Sequence, residues 1–229
     1  MQIAGLQKTT LIDYPGKVAA TIFTRGCSFA CPFCHNPELV LANHFNPLLD
    51  EEEVLDFLKK RIGKLEAVCI TGGEPTLQND LIDFIKKIKG LGYLVKLDTN
   101  GSNNEKLGTL IDQKLIDYIA MDVKGPLEKY DILTNSKVDT EEIRESIKLI
   151  INSGIDYEFR TTFVKPLHSE EDFEKIGKLI VNAKKYFIQN FKDGKRIDGE
   201  AKFLPFEKQE LERAKLTLEK YIEEVFLRI

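Results

Sequence analysis

Hydrophobic and polar positions along this chain alternate between two rhythms. Short apolar runs are separated by longer stretches in which apolar residues recur every three or four positions. Val18-Ala19-Ala20-Thr21-Ile22-Phe23, Ala67-Val68-Cys69-Ile70-Thr71, Leu94-Val95-Lys96-Leu97-Asp98-Thr99, Tyr118-Ile119-Ala120-Met121-Asp122-Val123, residues 156–164 and Tyr186-Phe187-Ile188-Gln189 read as strands. An unbroken apolar run such as 67–71 is how a strand covered on both faces reads. Helical periodicity fills the intervals at about 50–60, 79–91, 105–113, 140–153 and 169–182. Asp50-Glu51-Glu52-Glu53 supplies an N-cap with a carboxylate three residues on. Leu81, Phe84, Ile85 and Ile88 share one helix face, which ends at Gly90 and Gly92. A final helix over about 207–227 aligns Leu211, Ala214, Leu218, Ile222 and Val225, and it carries no motif.

Strands alternating with helices predict right-handed βαβ units and a parallel α/β sheet. Eight units close a barrel of roughly 250 residues. The six counted here predict an open, curved partial (β/α)6 barrel. No linker or low-complexity stretch interrupts residues 1–229, which read as one domain. Parallel sheets place ligands at the carboxyl ends of their strands. The segments just past those ends are the Cys27 loop, Gly72-Gly73-Glu74-Pro75, Asp98-Thr99-Asn100-Gly101, Asp122-Val123-Lys124-Gly125, Lys165-Pro166 and Gln189-Asn190. Periodicity alone therefore predicts a site on that rim.

Composition narrows the class. At 229 residues the chain buries enough apolar surface to fold without staples. Its net charge of -4 gives no electrostatic footprint for nucleic acid. Met1-Gln2-Ile3-Ala4-Gly5 is not a charged region followed by an apolar one, and no apolar run approaches bilayer length. The expectation is a cytoplasmic protein without a membrane partner. In that compartment clustered cysteines bind metal or do chemistry rather than form disulfides.

Three of the four cysteines lie within Arg25-Gly26-Cys27-Ser28-Phe29-Ala30-Cys31-Pro32-Phe33-Cys34-His35-Asn36-Pro37, at the spacing C-x3-C-x2-C. Structural zinc needs a fourth protein ligand, for which only His35 and Cys69 are near in sequence. Cys69 sits in a strand and reads as a small buried hydrophobe. Cys31-Pro32-Phe33-Cys34-His35 also matches a haem-attachment pattern, which leaves Cys27 unexplained. A 4Fe-4S cluster uses all three thiolates and leaves one iron open for a substrate or cofactor.

The three cysteines, Phe33 before the third, and Gly72-Gly73-Glu74-Pro75 after the next strand resemble the signatures of radical S-adenosylmethionine enzymes. Cys34-His35-Asn36-Pro37, Asp98-Thr99-Asn100-Gly101 and Asp122-Val123-Lys124 resemble the glycyl-radical-enzyme activases. Lys8-Thr9-Thr10-Leu11-Ile12-Asp13-Tyr14-Pro15-Gly16-Lys17 resembles one group among them, the activating proteins of anaerobic ribonucleoside-triphosphate reductase. The resemblance covers most of residues 1–190.

It implies a 4Fe-4S cluster on Cys27, Cys31 and Cys34, whose open iron is chelated by S-adenosylmethionine. Phe33, His35 and Gln189 then lie beside adenine, while Gly72, Gly73 and Glu74 meet the amino end of the cofactor. Gly72 and Gly73 let the backbone approach closely. Asp98, Thr99 and Asp122 hold a monovalent cation, and Lys124 offsets the cofactor carboxylate. Arg160 neutralises a carboxylate, meets the partner or forms a structural salt bridge, and His168 either takes the late-strand histidine role of related activases or, the preferred reading, is a surface-loop residue.

The implied oxidoreductase reaction takes one electron from a donor such as flavodoxin or ferredoxin and cleaves S-adenosylmethionine to methionine and a 5'-deoxyadenosyl radical. That radical removes a hydrogen atom from a glycine of the partner, the large subunit of the anaerobic reductase. No side chain is needed as a general base beyond the cluster and cofactor. Three alternatives remain: activation of a pyruvate formate-lyase type enzyme, radical chemistry on a small molecule, or a zinc- or iron-binding regulator.

Overall fold

The computed structural model describes residues 1–228. One eight-stranded sheet runs in sequence order through β1 (Ile3–Thr10), β2 (Ala19–Thr24), β3 (Ala67–Gly72), β4 (Leu94–Thr99), β5 (Tyr118–Asp122), β6 (Asp156–Phe163), β7 (Lys185–Asn190) and β8 (Glu224–Arg228). β1 pairs antiparallel with β2, and every later pair is parallel. β1 and β8 are the two edges, so the sheet curves without closing. The six strands expected from periodicity are β2 to β7. Among the described residues, no helix is long and apolar enough to cross a membrane.

The crossover helices form the outer layer: α1 (Pro37–Val40), α2 (Glu51–Lys59), α3 (Leu81–Gly90), α4 (Asn104–Asp112), α5 (Tyr130–Thr134), α6 (Thr140–Asn152), α7 (Glu171–Leu179) and α8 (Lys208–Leu218). α2 begins where its cap predicts, with the Asp50 carboxylate accepting from Glu52 N and Glu53 N. Leu81, Phe84, Ile85 and Ile88 of α3 are all buried against the sheet. Under the last crossovers, Phe163, Phe173 and Phe206 interlock edge-on or tilted, with ring centroids 5.0–6.0 Å apart.

Two expectations change at the ends of the chain. The helix expected over 207–227 stops at Leu218, and residues 224–228 form β8 alongside β7. Ile222 and Val225 are buried, as the helical spacing demanded, but from a turn and a strand. The aromatic and β-branched content of Tyr221, Ile222, Val225 and Phe226 favours a strand there. β1 was not expected because its polar half, Gln7 to Thr9, is exposed and shows no alternation.

Phe173→Ala removes a ring that joins α7 to β6 and to the segment before α8. Urea unfolding is expected to show a loss of about 3–5 kcal/mol, the usual cost of truncating a buried phenylalanine.

Candidate functional site

β2 ends at Thr24 and opens directly into the cysteine loop. Cys27, Cys31 and Cys34 are free thiols, and all three line one cavity of about 490 Å3 above the carboxyl ends of the strands. Backbone bonds fix the loop on several sides. Gly26 N donates to Leu39 O at 2.7 Å, and Ala30 N donates to Thr134 O at 2.9 Å. From the segment after β7, Ile197 N donates to Cys34 O at 3.0 Å and Asp198 N to Pro32 O at 2.9 Å. Residues 191–204, which include the polar stretch Lys192-Asp193-Gly194-Lys195-Arg196, form a strap along the back of the cysteine loop.

Gly72 and Gly73 line the cavity, but what excludes a side chain there is protein backbone. A Cβ on Gly72 would collide with the backbone of Thr24, and one on Gly73 with the carbonyl of Gly26. Gly73 N donates to Thr24 O at 2.9 Å, and Glu74 N donates to Gly26 O at 2.7 Å. The two motifs are thus stitched together through main chain. Glu74 itself is fully buried and does not line the cavity, which corrects its expected place beside the cofactor. Its carboxylate accepts from Thr76 N, Thr76 Oγ1, Thr99 Oγ1 and Asn100 N at 2.6–3.1 Å. Four donors on one carboxylate tie the end of β3 to the end of β4.

Asp98, Asp122 and Lys124 do meet at the rim, with Arg160 of β6 between the acids. Arg160 Nε donates to Asp122 Oδ1 at 2.7 Å, and its Nη1 reaches Asp98 Oδ2 at 3.3 Å. Lys124 Nζ lies 3.2 Å from Asp122 Oδ2, and the Lys96 ammonium bonds Asp98 Oδ1. Burial raises the cost of both carboxylate charges. The guanidinium, with Lys96 at Asp98 and Lys124 at Asp122, more than offsets it and holds both acids below their ordinary pKa values. Lys124 is likewise held charged: burial opposes its charge, and Asp122 outweighs that. Thr99 also lines the cavity, and its hydroxyl donates to Glu74 at 2.8 Å.

Other expected residues take these places. Gln189 lines the cavity, and its Oε1 accepts from Thr162 Oγ1 at 3.3 Å. His35 is exposed at the mouth, edge-on to Phe191 at 5.7 Å. Phe33 is buried, edge-on to Phe203 and His168.

His168 is not a surface-loop residue. It is 3% exposed, and its Nε2 lies 2.8 Å from Lys124 O. Val164 N donates to its Nδ1 at 3.2 Å, so the ring fits the neutral tautomer with the proton on Nε2. Burial lowers its pKa.

Sequence reasoning missed three groups. Asn100 Nδ2 lies 3.7 Å from Cys27 Sγ, and its only signal was membership of Asp98-Thr99-Asn100-Gly101. Arg228 lines the cavity from β8, the stretch read as helix. Lys96, a lone charge inside an apolar run, was passed over. Cys69 is buried as expected, yet its Sγ is 3.8 Å from both Lys96 Nζ and Asp98 Oδ1.

The donor set suits an iron–sulfur cluster. Three thiols face one cavity, and Cys69, the fourth, is not among its lining residues. Desolvation pushes the metal-free Cys27 thiol up to about 12 and Cys31 to about 11. These protons must leave as iron binds.

Comparison with known proteins agrees with this geometry. A family model described as the radical SAM superfamily matches residues 21–180. A Methanocaldococcus jannaschii protein bearing the name glycyl-radical enzyme activating enzyme is 39% identical over 99% of this chain and 95% of its own. The pyruvate formate-lyase-activating enzyme of Clostridium pasteurianum is 25% identical over 98% of both chains. Among solved structures, Streptococcus suis SuiB bound to S-adenosylmethionine superposes with a TM-score of 0.68 at 15% identity. That match covers 89% of this chain and 48% of SuiB, and it speaks for the fold.

Two outcomes follow from the site. Gly73→Ala drives a side chain into the Gly26 carbonyl, so iron and sulfide content after anaerobic reconstitution should fall well below that of the parent. Gly108→Ala, whose Cβ meets only Leu149 Cδ1 at 3.8 Å, should leave both unchanged. For His168, the unfolded chain takes up a proton near the ordinary value of 6.5, while the folded chain resists it. The stability present above that pH is therefore lost as pH falls below it toward the lowered folded-state value. In His168→Asn, unfolding measured across this window should show a slope shallower by up to about 1.4 kcal/mol per pH unit.

Proposed function

This chain belongs to the radical SAM superfamily, and from that membership we propose that it activates a glycyl radical enzyme. The cofactors of the family are a 4Fe-4S cluster and S-adenosylmethionine. The observation that carries the proposal is the convergence of three free thiols on a cavity that also holds paired acids and a half-buried lysine, Lys124. Cys27, Cys31 and Cys34 ligate the cluster. When bound and reduced, the cluster and S-adenosylmethionine together supply a 5'-deoxyadenosyl radical able to take a hydrogen atom from glycine.

The remaining residues bind, orient and exclude. Lys124, held charged beside Asp122, faces the carboxylate of the cofactor. His35, Phe33 and Gln189 surround the adenine. Asn100 donates toward the Cys27 sulfur, which lowers the electron density on that ligand. The strap at 191–204 and the Glu74 knot keep the cysteine loop still.

The substrate glycine comes from a protein partner. A second cavity of about 450 Å3, lined in part by Ile12, Asp13 and Pro15, shares Asp98, Arg160, Gln189 and Arg228 with the first. It gives a flexible glycine loop a path along the concave face. Leu11 and Ile12 are 72% and 82% exposed in the turn from β1 to β2 beside it. That turn lies in the 8–17 stretch resembling the activases of anaerobic ribonucleoside-triphosphate reductase, and we assign that reductase as the partner. The work is done in the cytoplasm, with a low-potential donor such as flavodoxin or ferredoxin. The Clostridium pasteurianum relative supports a second reading, a pyruvate formate-lyase type partner.

Incubating reconstituted, reduced protein with S-adenosylmethionine and each partner, then recording electron paramagnetic resonance, tests the proposal. A glycyl radical doublet is expected on the reductase. Its appearance only on the lyase overturns the choice of partner. Cofactor cleavage without a radical on either overturns activation, and one zinc with no iron overturns the enzyme.

A further inference from the structure

Asp98, Thr99 and Asp122 were expected to hold a monovalent cation, and their surroundings do not fit one. Asp98 already carries the Lys96 ammonium on Oδ1 and the Arg160 guanidinium on Oδ2. Asp122 carries Arg160 on Oδ1 and Lys124 on Oδ2. The Thr99 hydroxyl donates to Glu74 at 2.8 Å and accepts from Gly101 N at 3.1 Å. Every side-chain oxygen such an ion would use has a protein partner. Asp98, Asp122 and Glu158, the last 3.8 Å from Arg160 Nη1, face Lys96, Lys124 and Arg160, so the carboxylate charge is already balanced before any ion arrives.

Lys96 is the unusual member. It is 2% exposed, two residues before Asp98 on β4, so both side chains point to the same face. It lines the second cavity but not the cluster cavity. Cys69 is its other polar neighbour, and burial keeps that thiol protonated, so the sulfur does not cancel the ammonium. The aromatic face of Tyr118 lies 6.0 Å away.

We propose that the Lys96 ammonium is a built-in replacement for the monovalent cation, so that this protein binds S-adenosylmethionine without one. Lys96 acts through Asp98 and is a positioning residue. An ammonium group and a potassium ion share charge and approximate size. The tethered group is already in place before the cofactor binds, so no ion has to be captured. The proposal rests on the reading of the upper cavity as the S-adenosylmethionine site.

The test measures S-adenosylmethionine binding to cluster-loaded protein by equilibrium dialysis, in tetramethylammonium chloride and in potassium chloride at equal ionic strength. The parent is expected to bind equally in both, within about twofold. Lys96→Ala vacates the ammonium position next to the second cavity. Its affinity should fall about tenfold in tetramethylammonium, the scale of one charge-assisted hydrogen bond, and recover in potassium. Lys96→Met fills the space without charge and should be weak in both. A merely structural lysine would give no potassium rescue.

Sodium NMR line broadening on the cofactor-free proteins provides a second readout. Broadening by Lys96→Ala beyond the parent supports the replacement. Equal broadening by both, a potassium requirement in the parent, or parent-like binding by Lys96→Ala in tetramethylammonium overturns it. If the parent binds no S-adenosylmethionine in either salt, the cofactor reading falls, and the sodium comparison still decides whether Lys96 occupies a cation position.

Discussion

Asp98 and Asp122 sit on the concave face of the sheet with one guanidinium between them, and the site depends on that pairing. Charges taken out of water are costly unless each is paired and hydrogen-bonded. Removing one partner strands the others, so the network holds as a set. Arg160 suits the central place because its planar fork reaches two carboxylates without choosing between them. The strand register brings this about: Asp122 is level with Arg160 across β5 and β6, while Asp98 is level with Ala120, whose small side chain leaves room for the guanidinium. Beyond Arg160, Glu158 extends the alternation to Arg228 at 3.5 Å. The charged groups thus run from β4 to β8 across the open face.

The cysteine loop is held in another way. It is fixed mainly by backbone bonds to the Gly72-Gly73-Glu74 corner, to α1 and α5, and to the strap. Main-chain bonds have no rotamers to lose, so they order a metal site more tightly than surface side chains do. This explains why the glycines matter although they need not touch a cofactor. Glu74 extends the same logic into the protein, where its carboxylate gathers four donors that would otherwise lie unsatisfied at two strand ends. His168 does so from the far side, since its neutral ring bonds the carbonyl of Lys124 and keeps that lysine turned toward the acids.

Most of this was legible in the sequence, to the depth that local pattern can reach. The six central strands and their helices came from periodicity, because buried parallel strands are apolar throughout and their crossover helices are amphipathic. The rim residues came from counting just past each strand end. The edges were illegible for a physical reason: β1 is half exposed, and β8 follows α8 so closely that Ile222 and Val225 continue the helical spacing by coincidence. Partners of side chains were also out of reach. Asp98, Thr99 and Glu74 are close in the fold, but no spacing rule says that the threonine turns to the glutamate and the aspartate to a lysine. Lys96 left a trace, a charge within an apolar run, which means either an edge strand or a paired interior charge.

The open edge and the charged interior are two sides of one constraint. A closed eight-stranded barrel can fill its centre with branched apolar side chains in layers. A sheet that stops short leaves its concave face in contact with water and with whatever must reach the reactive centre. Here the inward positions near the lower end are still apolar, with Tyr14, Ala19, Ala67, Tyr118 and Leu94 packed together. Above them Lys96, Asp98, Glu158 and Arg160 replace an apolar core. Side chains of this kind can border both a wet channel and a reactive cavity, provided their charges cancel locally. The ion pairs therefore allow the sheet to remain open at the level where the reacting groups meet, while the helices outside it carry the hydrophobic burial that keeps it folded.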